Sequence, residues 1–275
     1  MSADQLDEFV KILSQFPVTI WNAIVTGGVG WKLMKPFSKQ WEFGHFAALF
    51  TMLGLNDYQT KGKAETGYWP KVVPLIPCHS DPKEPSELLH YLEPFYSRER
   101  MAKDKVNRLK RFLASDICHE IWVGDSLSIS ANFEKIWRAL GHAMGQSPSK
   151  KTISFAMKCL ARSLLMVNQS TFEYYAIPVP VDSRIRTVSQ RLGLPNVSES
   201  SERERWRQVL IQIQDSNPKV TMVHLDSLLW QIGTLSPQQM QEHLMQLGAG
   251  ALAGRISEMF SPIFSIPSSR RRCRI

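Results

Sequence analysis

The sequence predicts an all-α protein of sizeable core, and three observations support this. No run of alternating apolar and polar residues is long enough to demand a β-sheet. Apolar residues recur at helical spacing, most clearly at Ile153, Met157, Leu160 and Leu164. Residues typical of loops cluster in short stretches at 71–85, 146–149, 171–181 and 195–202.

The net charge of +8 suits a polyanionic partner such as DNA, because each phosphate neutralised by Lys or Arg releases counterions. The positive charge is concentrated at residues 98–111 and 270–274. The first run also contains Glu99 and Asp104 at spacings typical of a solvated helix, an interpretation that we favour over a phosphate-contacting face. We expect the tail, residues 266–275, to be disordered and to add only non-specific attraction to DNA.

The sequence predicts no membrane span and no metal site. No apolar run reaches the length of a bilayer, and the acidic, amphipathic N-terminus differs from a secretion signal. We therefore expect a monomer in the cytoplasm, associated with the nucleoid in a prokaryote. The four cysteines are scattered, without a CxxC pair or a histidine at ligand spacing, so we expect neither a disulfide framework nor an iron–sulfur cluster.

Lys151 is a candidate nucleophile. Ser147 is a plausible N-cap and Pro148 suits the first helical position, which places Lys151 in the first turn of an amphipathic helix. A protonated amine is disfavoured at the positive end of a helix dipole, so this position favours the neutral amine that nucleophilic attack requires. The alternative is an ordinary solvated lysine.

Asp182 is predicted to cap the next helix. Residues 177–181 read Ile-Pro-Val-Pro-Val, and each proline forces the residue before it into an extended conformation. Asp182 then precedes a helical restart and is either a cap alone or a functional carboxylate as well. Residues 28–32, Gly-Val-Gly-Trp-Lys, offer a second candidate lysine, preceded by glycines, but no Val-Pro-Val-Asp run follows within about the length of a helix and a turn, so we interpret them as a turn.

Together these motifs resemble the helix-hairpin-helix DNA glycosylases. Bifunctional members place a Lys-Thr-like pair at the head of one helix, as at Lys151 and Thr152, and a Val-Pro-Val-Asp run before the next, as at residues 179–182. Residues 146–149, Gln-Ser-Pro-Ser, replace the common Gly-Val-Gly hairpin, and the spacing from lysine to aspartate is longer than usual. In both features the sequence resembles the archaeal 8-oxoguanine DNA glycosylase family, which has an unusual hairpin and a long spacer of this form.

Further motifs resemble the same family over roughly residues 44 to 235. Phe155 follows Lys151 as in the family's Lys-Thr-apolar-x-Phe helix. Asp226 and Trp230 match its Asp and Trp four residues apart, and residues 62–65 followed by Trp69 resemble its Gly-Lys-Gly-Glu segment and Trp.

The resemblance implies a helix-hairpin-helix glycosylase fold with two helical lobes and the active site in the cleft between them. We expect one lobe at residues 91–195, with the hairpin, Lys151 and Asp182. The other lobe comprises residues 1–90 together with 196–265, and residues 266–275 form the basic tail.

The resemblance also implies a bifunctional DNA glycosylase and lyase that flips 8-oxoguanine out of DNA and needs no cofactor. Lys151 then attacks C1′ of the deoxyribose, and Asp182 stabilises the developing positive charge or helps to deprotonate the lysine. Phe155 and Trp230 sandwich the base, while Asp226 supplies an acceptor and Trp69 a donor to the purine edge. The alternatives are a glycosylase of the same fold for another damaged base and a non-enzymatic helical DNA-binding protein.

Overall fold

The computed structural model describes residues 2–169 and 177–261. These residues form sixteen α-helices and no β-strand, which confirms the all-α prediction. The basic tail and residues 171–176 of the predicted loop at 171–181 lie outside the described residues. The helices are α1 (Ser2–Ser14), α2 (Val18–Thr26), α3 (Val29–Met34), α4 (Phe43–Asn56), α5 (Trp69–Val72), α6 (Glu87–Tyr96), α7 (Ala102–Leu113), α8 (Asp116–Trp122), α9 (Ser126–Ala131), α10 (Phe133–Ala143), α11 (Lys151–Met166), α12 (Ser183–Arg191), α13 (Glu199–Gln214), α14 (Met222–Ile232), α15 (Pro237–Gln246) and α16 (Ala251–Met259).

The centre of the fold is the pair α4 and α11. Both helices are buried around nearly their whole circumference, as expected for helices in the interior of a protein rather than at its surface. Further helices pack against this pair, with α7 and α8 against α4, and α10 and α14 against α11. The position of any side chain at the start of α11 therefore depends on how closely α4 packs.

Gly54 permits an unusually close approach of these two helices. A Cβ atom at this position would lie 2.8 Å from Cys159 Sγ and 2.9 Å from Ala156 Cα, which is too short for real carbon contacts. The absence of a side chain at Gly54 thus brings the end of α4, and Asp57 after it, close to the first turns of α11.

The two ends of the described chain pack together. The side-chain amide of Asn217 donates to the carbonyls of Ser14 and Phe16, over 3.1 and 3.0 Å. Arg255 pairs with Glu8 at 2.6 Å. The helix α4 belongs by the predicted boundaries to the lobe of chain ends, yet it packs against α11, α8 and α7 of the other lobe. The division into two lobes and its boundaries stay a prediction.

The predicted turn at residues 28–32 is only partly correct. The turn between α2 and α3 consists of Gly27 and Gly28, whereas Val29 already begins the helix. Gly30 lies inside α3, where a Cβ atom would be 3.4 Å from the Trp69 ring. The Trp69 ring therefore packs beside α3 at Gly30, at a distance that leaves an ordinary contact for an added Cβ atom.

The described helices contain neither a single membrane-spanning segment nor a cluster of metal ligands. Within residues 2–169 and 177–261, no single helix is long and apolar enough to cross a membrane. Residues 4–14 and 18–26 meet the criterion only jointly, across a 96° bend. No group of three or more His, Cys, Asp or Glu side chains in the same described residues is placed to hold a metal ion.

We predict that Gly54→Ala lowers the free energy of unfolding by about 1–3 kcal/mol, because overpacking at the α4–α11 contact outweighs the better helix propensity of alanine. Urea unfolding measures this. The matched control is Gly254→Ala within α16, where the nearest atom to an added Cβ is 3.7 Å away. Equal stability of the two variants would contradict the account of this contact.

Candidate active site

Lys151 is the first residue of α11, and Lys150 is its N-cap. The predicted cap at Ser147 and helical start at Pro148 are therefore wrong. The reason is that residues before Lys151 form a turn: Lys150 N–H donates to the Ser147 carbonyl at 2.9 Å, and Trp137 Nε1 donates to the Pro148 carbonyl at 2.8 Å. This start places Lys151 at the extreme N-terminus of α11, where the helix dipole acts most strongly.

Asp182 lies directly opposite Lys151. The structure confirms that Asp182 is the N-cap of α12, since its Oδ1 accepts hydrogen bonds from the main-chain N–H groups of Arg184 and Ile185, at 2.9 and 3.1 Å. Its second oxygen, Oδ2, is 3.5 Å from Lys151 Nζ. The two oxygens of this carboxylate thus have different partners: Oδ1 caps α12, and Oδ2 faces the Lys151 amine.

These two residues open into a cavity of about 170 Å³. It is smaller than the roughly 300–1,000 Å³ typical of drug-sized ligand pockets, which suits one flat ring system rather than a larger ligand. Five of the six predicted site residues line it, namely Lys151, Phe155, Asp182, Asp226 and Trp230. The remaining wall comprises residues 57–60, Ala64, Pro180 and Arg184.

Arg184 fixes one aromatic wall of the cavity. Its guanidinium carbon lies 3.9 Å from the ring centroid of Trp230, and its Nη1 donates to the Trp230 carbonyl at 3.3 Å. Glu65 holds the same guanidinium at 2.7 Å. One face of the indole is therefore covered. Within the described residues Trp230 and Phe155 make no ring contact with each other, so the two walls remain separate.

Asp226 forms a buried ion pair with Lys158, both side chains being no more than 3% exposed. Burial raises the pKa of Asp226 and lowers that of Lys158, while the attraction between them opposes both changes. Lys158 and Arg162 are charged residues within α11, and both are buried. The usable signal was that Lys158 follows Lys151 by seven residues, nearly two helical turns, and so shares its face.

Trp69 lies behind the cavity rather than in its wall. It is 3% exposed and packs edge-on against the rings of Phe50 and Tyr68. Its indole N–H donates to Asp57 Oδ2 at 2.9 Å, so the donor that was predicted to reach the base is already engaged. Its contact with a base stays a prediction.

Asp57 is a wall residue that the sequence analysis missed. It directly follows α4, so the only signal was a polar pair, Asn56 and Asp57, at the end of an apolar helix. Burial raises the pKa of Asp57 to about 6, against the opposing effects of the Trp69 hydrogen bond and of the lysines at positions 105 and 151.

Tyr58 joins the cavity to the basic helix α7. Arg108 lies 4.4 Å and Lys105 5.1 Å from its ring centroid. The predicted helix in this basic run is confirmed as α7, but Lys105 is fully buried and lies 3.7 Å from Glu99, so the helix is not solvated on all sides. Gln59 follows with a left-handed φ of 43° at the rim.

The chain is similar in sequence to known N-glycosylase/DNA lyases. Residues 10–256 match the sequence model of the AGOG family, described as N-glycosylase/DNA lyase. An N-glycosylase/DNA lyase from Methanopyrus kandleri is 25% identical over 149 residues, a match that covers 54% of this chain and 56% of that protein.

The fold is also similar to a crystal structure of Pa-AGOG, an 8-oxoguanine DNA glycosylase from Pyrobaculum aerophilum, in complex with 8-oxoguanosine. The TM-score is 0.67 at 18% identity, over 92% of this chain and 96% of the other. The fold is thus shared, and since the family match extends over most of the sequence, this chain belongs to the AGOG family.

Proposed function

We propose that the protein is a bifunctional DNA glycosylase and lyase of base excision repair, with Lys151 as the nucleophile. The observation that carries the proposal is the amine at the N-terminus of α11, 3.5 Å from Asp182, at a cavity walled by Phe155 and Trp230. The family description supports both activities. A non-enzymatic DNA-binding protein has no need for this pair beside a base-sized cavity.

In the proposed reaction the damaged nucleotide is rotated out of the duplex, and its base enters the cavity. The neutral amine of Lys151 forms a bond to C1′ while the glycosidic bond breaks, and the base leaves with the bonding electrons and takes up a proton. Ring opening of the sugar gives a Schiff base between Nζ and C1′. Loss of a proton from C2′ then expels the 3′-phosphate, and water hydrolyses the Schiff base to release the protein.

Asp182 has a position suited to the charged sugar. Its Oδ1 is held by two main-chain N–H groups, which fixes the carboxylate relative to α12. Its Oδ2 faces the amine that attacks C1′. A fixed anion at this point stabilises the positive charge that develops on the sugar as the base departs. The same oxygen is also placed to receive a proton from the amine.

We propose 8-oxoguanine in DNA as the substrate. Phe155 and Trp230 line the same cavity as the carboxyl groups of Asp57 and Asp226, which supports a flat ligand with polar edges. The similar protein from Pyrobaculum aerophilum is described as an 8-oxoguanine DNA glycosylase, which supports the purine assignment. The second candidate is another damaged base on the same fold, and the presence of Lys151 disfavours an alkylpurine enzyme of the type that lacks this lysine.

We predict that borohydride traps a covalent adduct between the protein and DNA containing 8-oxoguanine, and that Lys151→Gln abolishes it. Gel electrophoresis after reduction measures the adduct. The matched control is Lys150→Gln, which removes the neighbouring exposed amine and retains the adduct. A full-strength adduct in Lys151→Gln would assign the attack to another amine.

We predict that Asp182→Asn lowers the rate of base excision about a hundredfold or more, while thermal stability changes little. An asparagine caps a helix as well as an aspartate does, but it carries no charge to stabilise a cationic sugar. Single-turnover excision and thermal unfolding measure the two effects. Excision at nearly the wild-type rate would reduce Asp182 to a helix cap.

We predict a preference for 8-oxoguanine among matched oligonucleotides that carry 8-oxoguanine, guanine, uracil or thymine glycol. Stacking on an aromatic side chain is worth about 1–3 kcal/mol per base, so Trp230→Ala lowers excision roughly tenfold to a hundredfold. Single-turnover rates decide the matter. A preference for either pyrimidine would leave Lys151 in place as nucleophile and reject the purine pocket.

A further inference from the structure

Three carboxylates line the cavity, and they differ in what holds them. Asp182 has a partner at each oxygen: Oδ1 accepts hydrogen bonds from the start of α12, and Oδ2 forms an ion pair with Lys151. Asp226 shares its charge with Lys158 in a buried ion pair. Asp57 accepts one hydrogen bond, from Trp69 to Oδ2. Among the described residues, no hydrogen bond reaches its Oδ1 and no cation forms an ion pair with it.

The residues that hold Asp57 are packed against neighbouring elements. Its donor, Trp69, is clamped between the backbone at Gly30 and the rings of Phe50 and Tyr68. Asp57 itself ends α4, which is fixed against α11 at Gly54. Oδ2 therefore has a fixed partner in Trp69, and Asp57 lines the cavity.

The chemistry of the lesion matches such an oxygen. Guanine presents a lone pair at N7, whereas oxidation at C8 places a hydrogen on N7 and makes it a donor. An ionised carboxylate only accepts hydrogen bonds, so it attracts the oxidised base and repels the N7 lone pair of guanine. The amide of Gln59 at the rim does not discriminate in this way, because rotation presents either its donor or its acceptor.

We propose that Asp57 is the specificity-determining acceptor for the N7 hydrogen of 8-oxoguanine, and that Trp69 is the positioning residue that aims it. This inference rests on the proposed function, since it names the group by which the same cavity distinguishes its substrate from guanine. It also gives Trp69 a role through Asp57 in place of direct contact with the base.

The proposal has a consequence for pH. Burial raises the pKa of Asp57 to about 6, and the carboxylate accepts the N7 hydrogen only when ionised. Selective excision is therefore present above about pH 6 and is lost as the pH falls through that value. The titratable groups that interact with Asp57 lie in residues 64–68 and in α6, α7 and α11. They are Glu65, Tyr68, Tyr96, Lys105, Lys151 and Cys159.

The test compares the full-length wild-type protein with Asp57→Asn, Trp69→Phe and the exposed control Asp215→Asn. Each is given oligonucleotides with 8-oxoguanine, guanine or a preformed abasic site, which needs the lysine but no base recognition. The ratio of 8-oxoguanine excision to abasic-site cleavage is measured from pH 5 to 8, and thermal unfolding checks that each variant is folded.

We expect Asp57→Asn to lower this ratio roughly tenfold to a hundredfold and to reduce the preference for 8-oxoguanine over guanine. In the wild type the ratio falls as the pH drops through about 6, a decrease called the acid limb here, and Asp57→Asn should lack it. Trp69→Phe removes the hydrogen bond that favours the ionised carboxylate, so its acid limb moves to higher pH. A merely structural role for Trp69 does not predict such a shift. Asp215→Asn behaves as the wild type.

The failures are distinguishable. If the wild type excises 8-oxoguanine and Asp57→Asn keeps both the ratio and the acid limb, Asp57 is not the acceptor and the proposed function stands. If Asp57→Asn does not fold, an unshifted acid limb in Trp69→Phe likewise shows that Asp57 is not the acceptor. If the wild type shows no preference for 8-oxoguanine, the proposed substrate and this inference are both overturned.

Discussion

The contact between α4 and α11 at Gly54 governs the geometry of the whole site. Because no side chain separates the two helices there, α4 ends beside the first turns of α11. The residue after α4, Asp57, thereby joins Lys151 and Phe155 in one cavity wall. An added methyl group at this contact would push the helices apart and so separate the Asp57 carboxylate from the Lys151 amine. We expect it to lower activity as well as stability.

The site also concentrates buried charge, which is costly for folding unless each group finds a partner. Lys158 and Asp226 meet this requirement by pairing with each other. Arg184 satisfies two needs at once, since it pairs with Glu65 and stacks on Trp230. Asp57 is the exception, because only a neutral indole N–H holds it. A ligand that carries a hydrogen-bond donor can supply the partner that Asp57 lacks at the cavity wall.

Much of this arrangement could be predicted from the sequence, and the rest could not, for physical reasons. Local patterns suffice for the apolar face of α11 and for the cap at Asp182, because helical spacing and capping depend on residues close in the sequence. Lys151 was identified from its place in the first turn of a helix, whereas the roles of Phe155, Asp226 and Trp230 came from resemblance, and the fold brings all four to one cavity. The start of α11 was misplaced because the Trp137 side chain, from α10, bonds the Pro148 carbonyl in the preceding turn.

The partners of buried groups were also beyond the sequence. The bond from Trp69 to Asp57 crosses from one helix end to another, and the pair of Lys158 with Asp226 joins α11 to α14. Neither bond has a local signature, since each depends on how the helices pack. The role of Trp69 at the base came from the resemblance, and the sequence contained no sign that its indole N–H would bond to Asp57.

The most direct test of the central claim is to locate the covalent bond itself. After borohydride reduction of the complex with 8-oxoguanine DNA, the protein is digested with nuclease and protease, and tandem mass spectrometry maps the sugar remnant. The account predicts that the remnant lies on Nζ of Lys151. A remnant on Lys150, on Lys158 or on the N-terminal amine would contradict it.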